Sequence, residues 1–255
     1  MLGRFVVPAP EILTLDRLAA TANRGGRFNP WWVAAVAGSD PQAECEALAD
    51  QLQHLTNCRV EAFECRAPDG KTVRQVNEVL RAVGGIECIV ELPPDGGEGA
   101  ILDAVRNCGV FAKIRTGAAT ASGIPDASTV VRLVRACLTA GVAFKFTAGL
   151  HHPITGDYAL TYAPGAERAR MFGYVNAFLA AAFMRAGMSD ADAAALLEER
   201  DASQFVIDAG AIRWRGHILN ADDADRTRDL VISFGSCSFR EPVDELAERV
   251  LARSS

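Results

Sequence analysis

Between residues 60 and 148 the chain alternates four short apolar runs with three helix-length stretches, each of which stops at glycine. The runs are VEAFEC (60–65), IECIVEL (86–92), VFAKIRT (110–116) and VAFKFTA (142–148). The stretches between them, KTVRQVNEVLRAV, GEGAILDAVRNC and STVVRLVRACLTA, end at Gly84-Gly85, Gly109 and Gly141. Glycine just past the last apolar residue is a helix stop, because it takes a left-handed backbone without penalty. In the first stretch Val73, Val76, Val79, Leu80 and Val83 fall on one stripe, as they must if the helix lies on a sheet. Strands separated by helices pair in parallel through crossovers, so this alternation commits the chain to an α/β fold.

The flanks extend the pattern less regularly. FVVP (5–8) and WVAAVAG (32–38) precede it, and FVIDAGAIRW (205–214) and LVISFGS (230–236) follow. Helical patterns lie at 13–22, 42–55, 167–187, 221–230 and 241–252. Counting every unit gives eight, and the expectation is one (β/α)8 barrel domain over 1–255, with an open parallel α/β sheet as the alternative. The first unit and 150–215 fit least well, and DAG at 208–210 also reads as a hairpin turn.

A chain of 255 residues with 49% hydrophobic content can bury such a core. Net charge is −6 with no run of Lys or Arg, which argues against a nucleic-acid partner or an anionic membrane. GYVNAFLAAAFMRAG is too short to span a bilayer, and the start lacks a signal-peptide hydrophobic segment. Seven cysteines without a CxxC pair read as reduced thiols in a cytoplasmic protein, with no metal site. The stretch 171–186 is apolar all round, and so belongs in a deep core or a homo-oligomer contact.

In parallel α/β folds, chemistry gathers at the carboxyl ends of the strands. Glu64, Glu91, Lys113 with Arg115, Lys145 with Thr147, and Ser236 with Cys237 all stand there. Alternation puts Lys113 and Arg115 on one face and Lys145 and Thr147 on another such face, with Ala112, Ile114, Phe144 and Phe146 turned toward the helices. The lysines therefore face inward, where a lone charge is costly. One solution is a layer of ion pairs with Glu64 and Glu91. The other is a lysine pair in which each ammonium disfavours the other's charge, leaving a neutral amine able to attack a carbonyl.

The segment AKIRTGAATASGIPDASTVVRLVRACLTAGVAFKFTAGL, residues 112–150, resembles the lysine-bearing strand–helix–strand segment of the deoxyribose-phosphate aldolases. The resemblance implies that Lys113 forms the Schiff base and Lys145 tunes it. Two positions depart from that family's pattern: Arg115 replaces a small residue, and Ala148 replaces the first glycine of a pair. FKFTAGLHHP, YVNAFLAAAF and FGSCSFREPVDEL resemble a group of bacterial proteins, common in actinobacteria, that carry no assigned activity. That likeness implies a shared fold and site and names no reaction.

Arg115 and the Gly235-Ser236 turn ahead of a helix suit an anionic substrate, although a tight packing turn explains the latter equally well. His152 precedes Pro153 and is held extended, so His151 and His152 point apart. His151 is the candidate acid/base group and His152 a substrate contact; a loop role for both is the plain alternative. Cys237 is placed for substrate contact, with no nucleophile's partner visible in the sequence. The expectation is an aldolase-like lyase on a small, anionic carbonyl compound without a cofactor. Lys113, Lys145, His151, Glu91 and Glu64 would be catalytic, and Arg115, Thr147, His152, Gly235, Ser236 and Cys237 would bind. A metal-dependent enzyme using the Glu and His residues, and a non-catalytic metabolite-binding barrel, are the alternatives.

Overall fold

The computed structural model describes residues 3–22, 29–238 and 240–249. The last residues of the helix expected at 241–252 lie outside them. The chain groups into two compact units, Met1–Pro93 with Gly97–Ala112, and Pro94–Gly96 with Lys113–Ser255.

The first unit follows the regular alternation. It contains β1 (Phe5–Pro8), α1 (Ile12–Ala22), β2 (Trp31–Val36), α2 (Pro41–Gln51), β3 (Cys58–Cys65), α3 (Gly70–Val83), β4 (Glu87–Glu91), α4 (Glu98–Cys108) and the start of β5 (Phe111–Arg115). β1 pairs with β2, β2 with β3 and β3 with β4, all parallel. Ala34 lies beside Ala62, and with Ile89 they form a small core that takes the ring of Phe111. Small residues in that row leave room for the aromatic ring. Asp69 caps α3 by accepting the Thr72 N–H at 2.8 Å, and Val73, Val76 and Leu80 are buried while Val83 is exposed.

One buried carboxylate staples this unit. Asp16 on α1 accepts from the backbone N–H groups of Thr56, Asn57 and Cys58 at 3.1, 2.7 and 2.7 Å, and from the side chains of Thr56 and Asn57 at 3.2 Å each. Burial alone would raise its pKa. The donors of Asn57, Cys58 and Thr56 outweigh that and hold it below the ordinary aspartate value.

The second unit continues with α5 (Ala127–Ala140), β6 (Phe144–Thr147), β7 (Gly156–Ala159), β8 (Arg168–Met171), α6 (Tyr174–Arg185) and α7 (Asp190–Leu197). It ends with β9 (Phe205–Ile207), β10 (Ala211–Trp214), β11 (His217–Asn220), α8 (Ala221–Thr227), β12 (Val231–Gly235) and α9 (Arg240–Arg249). The principal sheet has seven strands in the neighbour order β1-β2-β3-β4-β5-β6-β12. Among the described residues β12 does not pair back to β1, so the sheet does not close as the expected eight-stranded barrel requires. The run 205–214 does not join it. The Asp208 side chain accepts the N–H groups of Gly210 and Ala211, both at 2.9 Å, and turns the DAG segment into a hairpin. β9, β10 and β11 then form their own antiparallel sheet.

The helix expected from 167 also differs. Residues 168–171 pair antiparallel with β7, and the helix starts only at Tyr174. Its first N–H groups, on Tyr174 and Val175, donate to the carbonyls of His152 and Pro153, both at 3.0 Å. A side chain at Gly173 would meet the Pro153 carbonyl at 2.3 Å, so the chain enters the helix as a bare backbone. Asn176, fully buried, accepts from Thr155 N–H at 3.1 Å and donates to the carbonyls of Leu196 and Glu199 at 2.9 and 2.8 Å. α6 buries its apolar surface against α5, α7 and α8, which accounts for its composition within the chain. Among the described residues no helix is long and apolar enough to cross a membrane.

Candidate functional site

The site is built on β5, β6 and β12. Thr116 N–H donates to the Thr147 carbonyl at 2.9 Å. In a parallel ladder that bond sets residue 116 beside 148, and three residues back it sets Lys113 beside Lys145. β12 continues the rows, with Ser233 beside Lys145 and Gly235 beside Thr147. Lys113 and Lys145 are 4% and 6% exposed, and neither is without a partner. Ala112, Ile114, Phe144 and Phe146 are completely buried on the opposite face. Phe146 meets Phe144 edge-on at 5.3 Å and stacks on Phe234 at 5.9 Å. Arg115 and Thr147 stand one row nearer the strand ends, both half-buried.

Beyond β6 the backbone is held tightly. Thr116 Oγ1 donates to the carbonyls of Thr147 and Ala148 at 3.1 and 2.7 Å. Ala148 takes φ 65°, a left-handed conformation unusual for alanine, and Gly149 follows with φ 74°. A side chain at Gly117 would come within 2.8 Å of the Gly149 Cα, so the loops after β5 and β6 touch backbone to backbone. This turn sends the next residues, His151 and His152, toward the end of β12.

The histidines do not point apart as expected: their ring centroids lie 6.3 Å apart, and both meet carboxylates of α9. His152 is buried; its ring stacks on Tyr158 at 3.4 Å, and its Nδ1 lies 2.9 Å from Glu245 Oε1. His151 meets three groups. Its Nε2 is 3.1 Å from Cys237 Sγ, with Nδ1 at 3.6 Å from the same sulfur. Its Nδ1 lies 3.2 Å from the Tyr162 hydroxyl and 3.5 Å from Glu241 Oε2. Tyr162 in turn donates to Glu241 Oε2 at 2.8 Å. Burial pushes the His151 imidazole below the ordinary histidine value, although Glu241 pulls the other way. Partial burial and the Glu241 carboxylate push the Tyr162 hydroxyl up to about 12. Burial, with Glu245 nearby, does the same to Tyr174, whose hydroxyl donates to the Pro242 carbonyl at 2.7 Å.

Glu241 and Glu245 sit one turn apart on α9 and therefore share a face. Ser238 Oγ accepts the Glu241 N–H at 3.3 Å and holds the first turn. Ser236 is spent inside the loop, donating to the Ser238 carbonyl at 2.8 Å and accepting the Ser238 N–H at 3.3 Å. Gly235 packs on Thr147, where an added side chain would meet Oγ1 at 2.9 Å. The donor atoms of His152, Glu241 and Glu245 fall within 4.8 Å of one another, a spacing one divalent ion spans. Glu241 Oε2 meets Tyr162 and His151, and Glu245 meets His152 through Oε1.

The structure thus brings His151, His152 and Cys237 together and sets Lys113, Lys145, Arg115 and Thr147 in adjacent rows. Glu64 and Glu91 belong to the first unit. They share one face of β3 and β4, are 2% and 3% exposed, and Glu91 pairs with Arg66. The sequence reading missed Tyr158, Tyr162, Glu241 and Glu245. The E-x-x-x-E spacing in REPVDEL was the available signal. No protein-family model matches the chain, and no curated protein matches it.

Proposed function

We propose that the chain is an aldolase-like lyase acting on a small, anionic carbonyl compound through a lysine Schiff base. The observation that carries this is the pair of buried lysines placed side by side on β5 and β6, near the carboxyl ends of parallel strands. In this proposal the Lys113 amine adds to the substrate carbonyl and loses water to form an iminium. The iminium accepts the electron pair as a carbon–carbon bond breaks. Lys145 is the neighbour that tunes the amine, Arg115 and Thr147 hold the substrate's anionic group, and His151 moves the proton. A half-buried imidazole that favours its neutral form suits a proton acceptor.

The test is reductive trapping. Pyruvate, acetaldehyde and dihydroxyacetone phosphate are each incubated with the protein and borohydride, and the modified residue is located by mass spectrometry. The expected adduct is on Lys113, and Lys113→Met abolishes it. If no probe modifies either lysine, the Schiff-base proposal fails. A Lys113→Met protein that keeps metabolite binding and loses only stability would favour the non-catalytic alternative, with the lysines in a structural ion-pair layer.

A further inference from the structure

All seven cysteines lie among the described residues, and Cys237 alone is exposed. Burial makes several of the others inert. It raises Cys45 to about 12, and raises Cys58 to about 11 with Asp16 adding to the effect. Cys88 is pushed well above the usual thiol range by its hydrogen bond with the Cys65 thiol and by burial. Only Cys237 combines access with a base. Its sulfur lies 3.1 Å from His151 Nε2, and the Nδ1 side of the same ring faces Tyr162 and Glu241 at 3.2 and 3.5 Å. Nucleophile, base and a third group that orients the base are the three parts of an activated nucleophile. The sulfur also lies 3.6 Å from Nδ1, so the thiol stands within reach of both ring nitrogens.

We propose that Cys237, His151 and Glu241 form a nucleophilic centre that takes acyl groups from activated esters or thioesters of small carboxylic acids. His151 Nε2 accepts the thiol proton as sulfur attacks the acyl carbon. The new S–C bond forms, the bond from that carbon to the leaving oxygen or sulfur breaks, and the electron pair departs with the leaving group. The imidazolium returns its proton to that group. Water, deprotonated by His151, then attacks the acyl carbon; the C–S bond breaks, the acid leaves and the thiol regains its proton. Glu241 is a positioning residue, and Tyr162 ties its carboxylate in place. This centre needs neither Lys113 nor Lys145, so it goes beyond the lyase proposal and can fail separately from it.

The experiment uses p-nitrophenyl acetate in stopped flow, with mass spectrometry of the quenched protein. A burst of nitrophenolate is expected, with one acetyl group on Cys237. Cys237→Ser should lose the burst. His151→Gln should slow it by about a hundredfold, within the range of general-base assistance. Iodoacetamide supplies a readout independent of turnover: Cys237 should be alkylated ahead of the other six cysteines, and about tenfold more slowly in His151→Gln. Glu241→Gln should restore much of the rate lost in Glu241→Ala, because the amide still orients the ring. Acetylation of a lysine in place of Cys237 would overturn the proposal. So would a Cys237 alkylation rate indifferent to His151 in a protein whose melting temperature is unchanged.

Discussion

Asp16 and Cys237 mark two ways of using a polar side chain. Asp16 is 6% exposed and receives five hydrogen bonds, all from residues 56–58. Every bond has one direction and one purpose, to tie α1 to the start of β3. Cys237 is exposed, touches one imidazole, and that imidazole is shared among a thiol, a phenol and a carboxylate. The first arrangement is saturated and can only hold. The second leaves a proton with more than one place to go, which is the condition for chemistry.

The largest effect should come from breaking the staple. Asp16→Ala strands three backbone N–H groups, a loss of about 3 kcal/mol from the penalty for unsatisfied buried donors. Chemical denaturation measures it, and the Cys237 alkylation rate of the folded protein should not move. In the other region Asn176→Ala should cost about 2 kcal/mol, since Thr155 N–H and two carbonyls lose their partner. Here the thiol rate should change as well, because Thr155 belongs to the loop that carries His151. An Asn176 variant with altered stability and an unaltered thiol would separate the loop from the site.

Acid sharpens the contrast. Both groups have lowered pKa values, Asp16 because its charged form is bonded and His151 because its charged form is disfavoured. Asp16 contributes stability above its ordinary 3.8, and that stability is lost as pH falls through its folded value. His151 costs nothing above 6.5, and below it the unfolded chain takes the proton first, so stability falls. Between pH 7.5 and 5 the melting temperature should drop less in His151→Gln than in the parent, while Asp16→Asn should differ from the parent most above pH 4. The neighbours Glu241, Tyr162, His152 and Cys237 surround the imidazole, so the same titration in Glu241→Gln shows how much of the shift is theirs. The smallest effect is expected from Tyr162→Phe, about a twofold slower thiol, because the phenol only steadies the carboxylate.

The parts of the fold that followed local periodicity were legible in the sequence. Lys113 and Lys145 could be set on the face opposite Phe144 and Phe146 because a strand alternates whatever it pairs with. The side-by-side register of the lysines needed the bond from Thr116 to Thr147, which no local pattern encodes. Residues 168–171 read as helix because nothing in RARM resists it; their partner, 156–159, is supplied by the tertiary fold. The 205–214 run was ambiguous at DAG, and Asp208 decided it. Cys237 showed no partner because His151 is 86 residues away in sequence. Glu241 and Glu245 looked like an ordinary charged helix face, and only the docking of α9 gives them histidines to meet.

That distance has a consequence in the life of each molecule. The ribosome delivers His151 long before it delivers Cys237 and Glu241. An emerging chain can complete the strands of the first unit, and even begin the second, while no thiol has a base beside it. The nucleophile comes into being only after residue 241 has been made and α9 has docked. A chain cut short before residue 237 would carry the histidines and the buried lysines and have no such nucleophile to misdirect. The order of the residues along the polypeptide acts as a safety interval between being made and being reactive.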